Sequence, residues 1–221
     1  MIQPILLSIL IPTVVGRENE LSKLLGLLSK YAPLDVKSNL KKNNFDYTGT
    51  KYDLEDVEII VVKDNKQNTI GAKREYMYSL ANGLYSQMTD DDDELAPNAI
   101  ELILNAIKSN PDVDVISFEE YVNMDGKEYR SNHAAIYSGW EGDGNSIFPD
   151  GFHFHRTPFF KSVIRTELAK SIPIQKIRFG EDHAFANDLH PLIKSEFHIS
   201  EPLYRYIHRS SDHNTRYGIK D

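Results

Sequence analysis

The stretch YSQMTDDDDEL, from Tyr85 to Leu95, joins a short semi-apolar segment to four consecutive aspartates. Two carboxylates about 4 Å apart repel each other by roughly 4 kcal/mol in a medium of effective dielectric constant ~20. A folded chain that places Asp90, Asp91, Asp92 and Asp93 together therefore needs positive charge nearby. The elements around the run indicate whether that charge belongs to a functional site.

Short apolar strands and amphipathic helices alternate around the run. The predicted strands are residues 5–11, 56–62, the segment that enters the aspartates, and 112–118. The predicted helices are 17–32, 68–85 and 97–107. Pro12 is expected to stop the first strand, and Thr69 to cap the second helix. This alternation predicts an α/β fold: a single Rossmann-like domain, with a mainly parallel central sheet and helices on both faces.

The rhythm changes after Phe118. EEYVNMDGKEY predicts a hairpin with an Asp-Gly turn, and YSGWEGDGNSIFPDG reads as a loop. Residues 159–171 and 181–189 have a helical pattern, and residues 201–208 that of a late strand. The polar excursion at residues 32–56 has no assignable structure, so we expect an insertion there.

Composition narrows the class of protein. A chain of 221 residues with 40% hydrophobic residues suits one globular domain. The net charge of −8 argues against general binding to nucleic-acid phosphates. The absence of cysteine fits a reducing compartment, so we expect a cytoplasmic protein. MIQPILLSILIP is better explained as a buried strand than as a signal peptide, and we expect no integral membrane segment.

The aspartate run lies where ligands bind in such folds. In open parallel sheets, ligands bind beyond the carboxyl ends of the strands. On an extended backbone, Asp90 and Asp92 would point to one face, and Asp91 and Asp93 to the other. A hard cation such as Mg²⁺ or Mn²⁺ relieves clustered carboxylates and keeps positions for phosphate oxygens. An isolated acidic run is more often a solvated loop, but the strand before it favours a metal-bridged diphosphate.

Other phosphate and hydrolase motifs are missing from the sequence. It has no G-x-x-x-x-G-K-[ST] loop and no G-x-G-x-x-G after the first strand. It also lacks H-E-x-x-H and G-x-S-x-G. Common NTPases, dinucleotide oxidoreductases, zincins and many α/β-hydrolases are thereby excluded.

Six segments in register resemble family 2 glycosyltransferases, the nucleotide-sugar enzymes of the A-type fold. They are LSILIPTVVGRENELSKLL, VEIIVVKDNK, IGAKRE, YSQMTDDDDELAP, FGEDHAFANDL and EPLYRYIHRSS, over residues 6–211. The fourth resembles the strand that ends in an Asp-x-Asp metal motif, and the fifth resembles the Glu-Asp helix that carries the catalytic base. The resemblance implies an A-type domain with a nucleotide-sugar-binding half, residues 1–118, and an acceptor-side half, residues 119–221.

The resemblance also implies roles for the residues on the donor side. Thr13 and Asp64 would flank the nucleobase at the ends of the first two strands. Arg74 would lie near the nucleotide, and Asp90 and Asp91 would lie by the ribose and the donor sugar. We expect a uridine-diphosphate sugar as donor.

The chemistry that the resemblance implies is an inverting sugar transfer. Asp92 would bind the Mn²⁺ or Mg²⁺ that bridges the diphosphate, and Asp182 would be the general base. In some relatives a late histidine completes the metal site; His208 is the first candidate here and His213 the second, although a plain strand histidine explains His208 equally well. The protein would be a hexosyl- or pentosyltransferase.

Three features depart from the family pattern. Val14 and Val15, followed by Gly16, replace the usual Tyr-Asn. Lys63 replaces the first of two acids after the second strand, and Glu75 replaces the Asn after the arginine. All three departures lie on the donor side.

The acceptor and two rival functions stay open at this stage. The expected acceptor is a glycan or another hydroxyl-bearing molecule, with a modified DNA base as a minority option. The alternatives are a nucleotidyltransferase on a similar sheet and a non-catalytic module that binds a divalent ion or a nucleotide sugar. Trp140 would either stack on a sugar or fill a core. His153 and His155 could form a metal pair, but packing or acceptor contacts are favoured. His183 is expected on a helix surface beside Asp182.

Overall fold

A single sheet of twelve strands forms the centre of the protein in a computed structural model, which describes residues 4–31, 37–40 and 46–209. The strands are β1 (Leu7–Val14), β2 (Lys37–Asn39), β3 (Thr48–Leu54), β4 (Val57–Asp64), β5 (Tyr85–Met88), β6 (Glu94–Leu95), β7 (Val115–Met124), β8 (Lys127–His133), β9 (Trp140–Glu141), β10 (Phe154–Arg156), β11 (Val163–Arg165) and β12 (Glu196–His208). The helices are α1 (Glu18–Leu27), α2 (Ile70–Leu80), α3 (Ala99–Ser109), α4 (Thr166–Ser171) and α5 (Glu181–Leu189), with a 3₁₀ helix at His190–Leu192.

The strand order is β2-β3-β4-β1-β5-β11-β7-β8-β10-β9, and β12 pairs with β7 and β6. The pairings β1–β4, β1–β5, β7–β12 and β8–β10 are parallel. The other pairings of described strands are antiparallel. The predicted α/β fold is confirmed. The expected parallel arrangement holds for β4-β1-β5. The sheet as a whole is mostly antiparallel, because hairpins extend it and β11 pairs antiparallel with both β5 and β7.

Apolar residues alternate along the central strands and cover both faces of the sheet. Leu7, Ile9 and Ile11 of β1 pack into one core with α1 and α3. Leu10 of the same strand packs into a second core with α2, α4 and α5. Successive side chains point to opposite faces of the sheet, and each face is covered by helices. β1 and β4 are therefore apolar almost throughout.

The first strand extends past Pro12 to Val14, so the prediction that Pro12 stops it is wrong. Pro12 pairs with Val62 on the β4 side. On the other side, pairing with β5 ends at Leu10 and Met88. Leu10 accepts a bond from Thr89 N–H of that side, and groups two residues apart face the same neighbour. The nitrogen of Pro12 therefore faces the β5 side beyond the end of that pairing, where no neighbouring strand requires an N–H donor.

The predicted helix at residues 159–171 is also partly wrong, because only α4 forms there. Val163 and Ile164 instead form β11, which fills the gap between β5 and β7 with antiparallel pairs. The β-branched side chains of these residues are fully buried, one in each core. Sheet packing outweighs the helical pattern here.

Turns and caps agree with the local signals. Thr69 Oγ1 accepts a bond of 3.2 Å from Ala72 N–H at the start of α2. Asp125 and Gly126 both have positive φ, at 49° and 88°, and connect β7 to β8 as a two-residue hairpin turn.

Part of the unassigned excursion at residues 32–56 is the β2–β3 hairpin, which pairs with the edge of β4. Residues 32–36 and 41–45 of the excursion lie outside the described residues, and so does His213. Strands on both sides of Phe118 join the same sheet, and the division into donor and acceptor halves stays a prediction. In the part of the chain that the structure describes, no helix is long and apolar enough to cross a membrane.

Candidate active site

The aspartate run lies beside the carboxyl ends of β1 and β4, directly after β5. The run is a turn and not an extended segment, since Asp93 N–H donates to Asp90 O at 3.2 Å. The predicted alternation of the four carboxylates between two faces is therefore wrong. The carboxylates instead contact several cations and hydrogen-bond donors that surround the turn.

Asp91 and Asp92 share one guanidinium. Arg17 Nη1 lies 2.7 Å from Asp91 Oδ1 and 3.0 Å from Asp92 Oδ2. Thr13 Oγ1, at the end of β1, donates to the other oxygen of Asp91 at 2.5 Å. Burial raises the pKa of Asp91, and the contacts with Thr13 and Arg17 limit the rise.

Asp64 is held by Lys73. The ammonium of Lys73 lies 2.5 Å from Asp64 Oδ1 and donates to the Thr13 carbonyl at 2.7 Å. Both residues are only 3% exposed, and Asn68 N–H also donates to Asp64. Lys73 thus links the ends of β1 and β4. The family resemblance implies that Asp64 contacts a nucleobase, and in this structure its carboxylate contacts Lys73.

Arg74 joins the aspartate run to the helix that carries the predicted base. One nitrogen, Nη2, lies 3.1 Å from Asp90 Oδ1, and the other, Nη1, lies 3.3 Å from Glu181 Oε1. The guanidinium stacks on Phe160, with Cζ 4.5 Å from the ring centroid. Two segments 91 residues apart in sequence therefore meet at one buried cation.

Asp93 faces inwards and forms part of a buried polar cluster. Its Oδ2 accepts bonds of 2.7 Å from both Lys161 and Tyr204, and its Oδ1 accepts a bond of 2.8 Å from Ile207 N–H. Burial raises the pKa of Asp93, and the ammonium of Lys161 opposes that rise. Asp93 thereby fastens β12 to the aspartate turn and does not face the pocket described below.

Asp182 lies in the first turn of α5, after Gly180, whose φ of 83° lets the chain turn into the helix. Arg156 Nη2 donates to its Oδ2 at 2.8 Å. Burial alone would raise the pKa of Asp182, but Arg156, together with Arg74 and His183, outweighs burial and lowers the pKa. The carboxylate is therefore ionised at neutral pH.

Arg156 is itself held by aromatic rings. Its Cζ lies 3.5 Å from the ring centroid of Phe159 and 5.2 Å from that of Trp140. Trp140 is 37% exposed and also packs on Phe154, so it is not a core tryptophan.

An open pocket of about 430 Å³ lies between the carboxyl end of β1 and the aspartate run. Its lining consists of Val14, Val15, Gly16, Arg17, Glu20, Lys66, Asp92 and Arg209. Asp92 is the member of the run that faces the pocket. Among the lining residues, three are cations and two are carboxylates, which suits an anionic ligand.

The side chains fit a metal ion only if the ion binds together with a substrate. Among described residues there is no group of three or more His, Cys, Asp or Glu side chains placed to hold an ion. Asp90, Asp91 and Asp93 already contact Arg74, Arg17 and Lys161. Asp92 also contacts Arg17, but it is the carboxylate of the run that lines the pocket. Mg²⁺ is commonly held by one or two carboxylates together with substrate phosphates.

His208 is the last residue of β12, one position beyond Ile207, whose N–H binds Asp93, and one before Arg209, which lines the pocket. It is partly buried, and its ring lies 6.3 Å from that of Tyr206. His208 thus lies at the correct end of the strand for the predicted role, which stays a prediction.

The other histidines take part in packing or lie on the surface. His155 is stacked between Tyr137 and Phe148 and contacts Asp150 at 2.9 Å. His153 accepts a bond from Arg130 N–H, and His183 is exposed on α5. None of these three contradicts the expectation from sequence.

The sequence reasoning missed the cations of the site. They are Arg17, Lys73, Arg156 and Lys161. Lys73 precedes Arg74 in the recognised IGAKRE segment, and Arg17 follows the first strand in PTVVGRENE, so both were within reach of a charge-balance argument. Nothing in the local sequence distinguishes Arg156 or Lys161 from surface cations, since their partners lie 26 and 68 residues away.

Comparison with known proteins identifies the family. The model described as "Glycosyl transferase family 2" matches residues 47–175, more than half of the chain. The chain belongs to glycosyl transferase family 2. The sequence-based recognition of this family is thereby confirmed. A comparison with curated proteins finds no match.

Solved structures with a similar fold include three of TarS 1–349 from S. aureus. The first is 15% identical, with a TM-score of 0.60 over 92% of this chain and 60% of that chain. The second, in complex with UDP-GlcNAc, is 14% identical, with a TM-score of 0.59 over 93% and 59%. The third, in complex with UDP, is 14% identical, with a TM-score of 0.58 over 96% and 63%. The likeness shows a shared fold, and the chain spans about three fifths of the length of these chains.

Proposed function

We propose that the protein is a metal-dependent, inverting glycosyltransferase that moves a sugar from a uridine-diphosphate sugar to an acceptor hydroxyl. The observation that carries the proposal is the position of Arg74 between Asp90 and Glu181. This contact brings the aspartate run and α5, with Asp182, to one site. A nucleotide-sugar transferase needs a diphosphate site and a base at such close quarters.

Asp182 acts as the general base in this proposal. It takes the proton of the acceptor hydroxyl while the hydroxyl oxygen forms a bond to the anomeric carbon. The bond from that carbon to the diphosphate oxygen breaks on the opposite face, so the configuration inverts. The lowered pKa of Asp182 supports this role by keeping the carboxylate ionised.

Thr13, Asp64, Arg74, Asp90 and Asp91 are the proposed donor-binding residues. Mn²⁺ or Mg²⁺ would be held by Asp92, with His208 as second ligand, and would neutralise charge on the departing diphosphate. The pocket beside Asp92 supports this arrangement, because it is lined by Arg17, Lys66 and Arg209.

Uridine is proposed as the base because TarS structures of this fold are in complex with UDP-GlcNAc and UDP. The acceptor is proposed to be a glycan or another hydroxyl-bearing molecule. Trp140, partly exposed and next to the Arg156–Asp182 pair, supplies an aromatic face of the kind on which sugars stack.

The test is a binding panel followed by product analysis. UDP, GDP, CDP and ADP are titrated by calorimetry and thermal shift, each with Mn²⁺ or with EDTA. Ligand at a hundred times its Kd stabilises a protein by about 2.7 kcal/mol, so a specific nucleotide gives a clear shift. We expect UDP to bind best and to bind more tightly with Mn²⁺.

Product analysis separates the rival functions. Incubation with UDP-sugars should release UDP and transfer the sugar to an acceptor or, slowly, to water. Release of UMP would point to chemistry at phosphorus, as in a nucleotidyltransferase. Nucleotide binding without turnover would indicate a binding module, and no nucleotide binding would refute the proposal.

A further inference from the structure

We propose that Arg17 is a diphosphate-binding residue that holds the donor without help from a metal ion. This inference rests on the proposed function, because it names a further residue of the same donor site. It concerns the Arg17 guanidinium, which contacts Asp91 and Asp92. Two further cations, Lys66 and Arg209, line the same pocket.

Arg17 is held at the rim of the site by the backbone. Gly16, with a φ of 93°, turns the chain between β1 and α1, and Arg17 is the cap residue of α1. Its guanidinium reaches Asp91 at 2.7 Å and Asp92 at 3.0 Å, yet its side chain keeps 27% of its surface exposed. Arg17 therefore contacts the aspartate run from the side that is open to the pocket.

The charge of the pocket is opposite to that of the chain. The chain carries a net charge of −8, whereas the pocket lining holds Arg17, Lys66 and Arg209 against Glu20 and Asp92. A guanidinium binds phosphate oxygens through paired N–H groups, and it is always charged. This lining therefore suits the anionic diphosphate of the proposed donor.

Arg17 and a metal ion would otherwise compete for Asp92. The guanidinium lies within contact distance of Asp92 Oδ2, an oxygen on which the proposed ion depends. If the diphosphate draws Arg17 towards itself, that oxygen becomes available to an ion that arrives with the donor. Arg17 then serves both steps: it balances the aspartates in the empty site and the phosphates in the loaded one.

The experiment measures binding of UDP, UMP and uridine by calorimetry in EDTA and, separately, in Mn²⁺. The variants are Arg17→Gln, Arg17→Lys and the control Lys23→Gln. Lys23 is an exposed cation of the same helix; it contacts Glu94 and does not line the pocket. Circular dichroism and thermal melting check that each variant is folded.

In EDTA we expect Arg17→Gln to weaken UDP binding roughly tenfold or more and to leave uridine binding unchanged. Arg17→Lys should recover part of the loss, and Lys23→Gln should match the wild type. If Arg17→Gln binds UDP in EDTA as well as or better than the wild type, or if the wild type binds UDP only with Mn²⁺, the inference is overturned. A wild type that binds no nucleotide under either condition refutes the proposed function itself.

Discussion

Arg156 Nη2 lies 2.8 Å from Oδ2 of Asp182, so the proposed base is part of an ion pair before any substrate binds. The pair is supported by the ring of Phe159 beneath the guanidinium. In the proposed mechanism, Arg156 is therefore a positioning residue that acts through Asp182. Its charge sets the pH range in which the base is ionised.

Arg156→Gln should shift the acid limb of the pH profile of kcat/KM to higher pH. The limb reports the pKa of the base in the free enzyme, and removing the cation lets burial raise that pKa. The control is Arg130→Gln, which removes a guanidinium that contacts Glu119 and not Asp182. An acid limb that stays in place in Arg156→Gln would show that Asp182 is not the group that titrates.

Asp93→Ala should lower the free energy of unfolding by about 3–5 kcal/mol, because it leaves Lys161 buried without its carboxylate. Urea denaturation measures the loss. Glu94→Ala is the matched control. The carboxylate of Glu94, the next residue in the chain, contacts the exposed Lys23, and such a surface pair contributes about 0–1 kcal/mol to stability.

The double variant Asp93→Leu with Lys161→Met tests the cause. Replacing both charges with apolar groups should recover most of the stability lost in Asp93→Ala. Equal losses in the single and double variants would mean that hydrogen bonds from Tyr204 and Ile207, and not the charge pair, stabilise the turn.

Glu120 should make stability fall as pH rises towards neutrality. Burial raises the pKa of Glu120 to about 7, with Lys161 and Arg156 opposing the rise. His133 Nδ1 lies 3.5 Å from Glu120 Oε1. An unfolded glutamate has a pKa of about 4.3. Between these values the folded state binds more protons than the unfolded state, so stability decreases with rising pH.

The size of this effect is on the order of 3 kcal/mol between pH 4 and pH 8. Glu120→Gln removes the titration and should stabilise the protein at pH 8 relative to the wild type. Urea denaturation at pH 5 and pH 8 measures it, with Glu101→Gln, an exposed glutamate of α3, as control. If wild type and Glu120→Gln lose the same stability over this range, Glu120 does not titrate as described.

The central strands and the position of the aspartate run after β5 could be predicted from the sequence because their signals are local. Short, nearly continuous apolar runs identify β1 and β4, Thr69 caps α2, and Asp125-Gly126 makes the hairpin turn. β11 could not be predicted, because its three residues form a strand only by pairing with β5 on one side and β7 on the other.

The orientation of the four carboxylates could not be predicted, and neither could the roles of Arg156 and Lys161. Asp93 turns inwards because Lys161, Tyr204 and Ile207 meet it from distant parts of the chain. A buried lysine looks like a surface lysine in sequence, and only the tertiary fold brings it to its partner. The site was predictable as a cluster of acids, and its charge balance was not.

The rate of sugar transfer by Asp182→Asn tests the central claim most directly, namely that the aspartate run and α5 form one catalytic site. Turnover is measured as UDP release from UDP-sugars, with water as the acceptor if necessary, and UDP affinity is measured by calorimetry. The control variant is Asp188→Asn, on the exposed side of α5. We predict that Asp182→Asn loses about 10²–10⁴ in turnover and keeps its UDP affinity, while Asp188→Asn behaves as wild type. Full turnover in Asp182→Asn would contradict the claim.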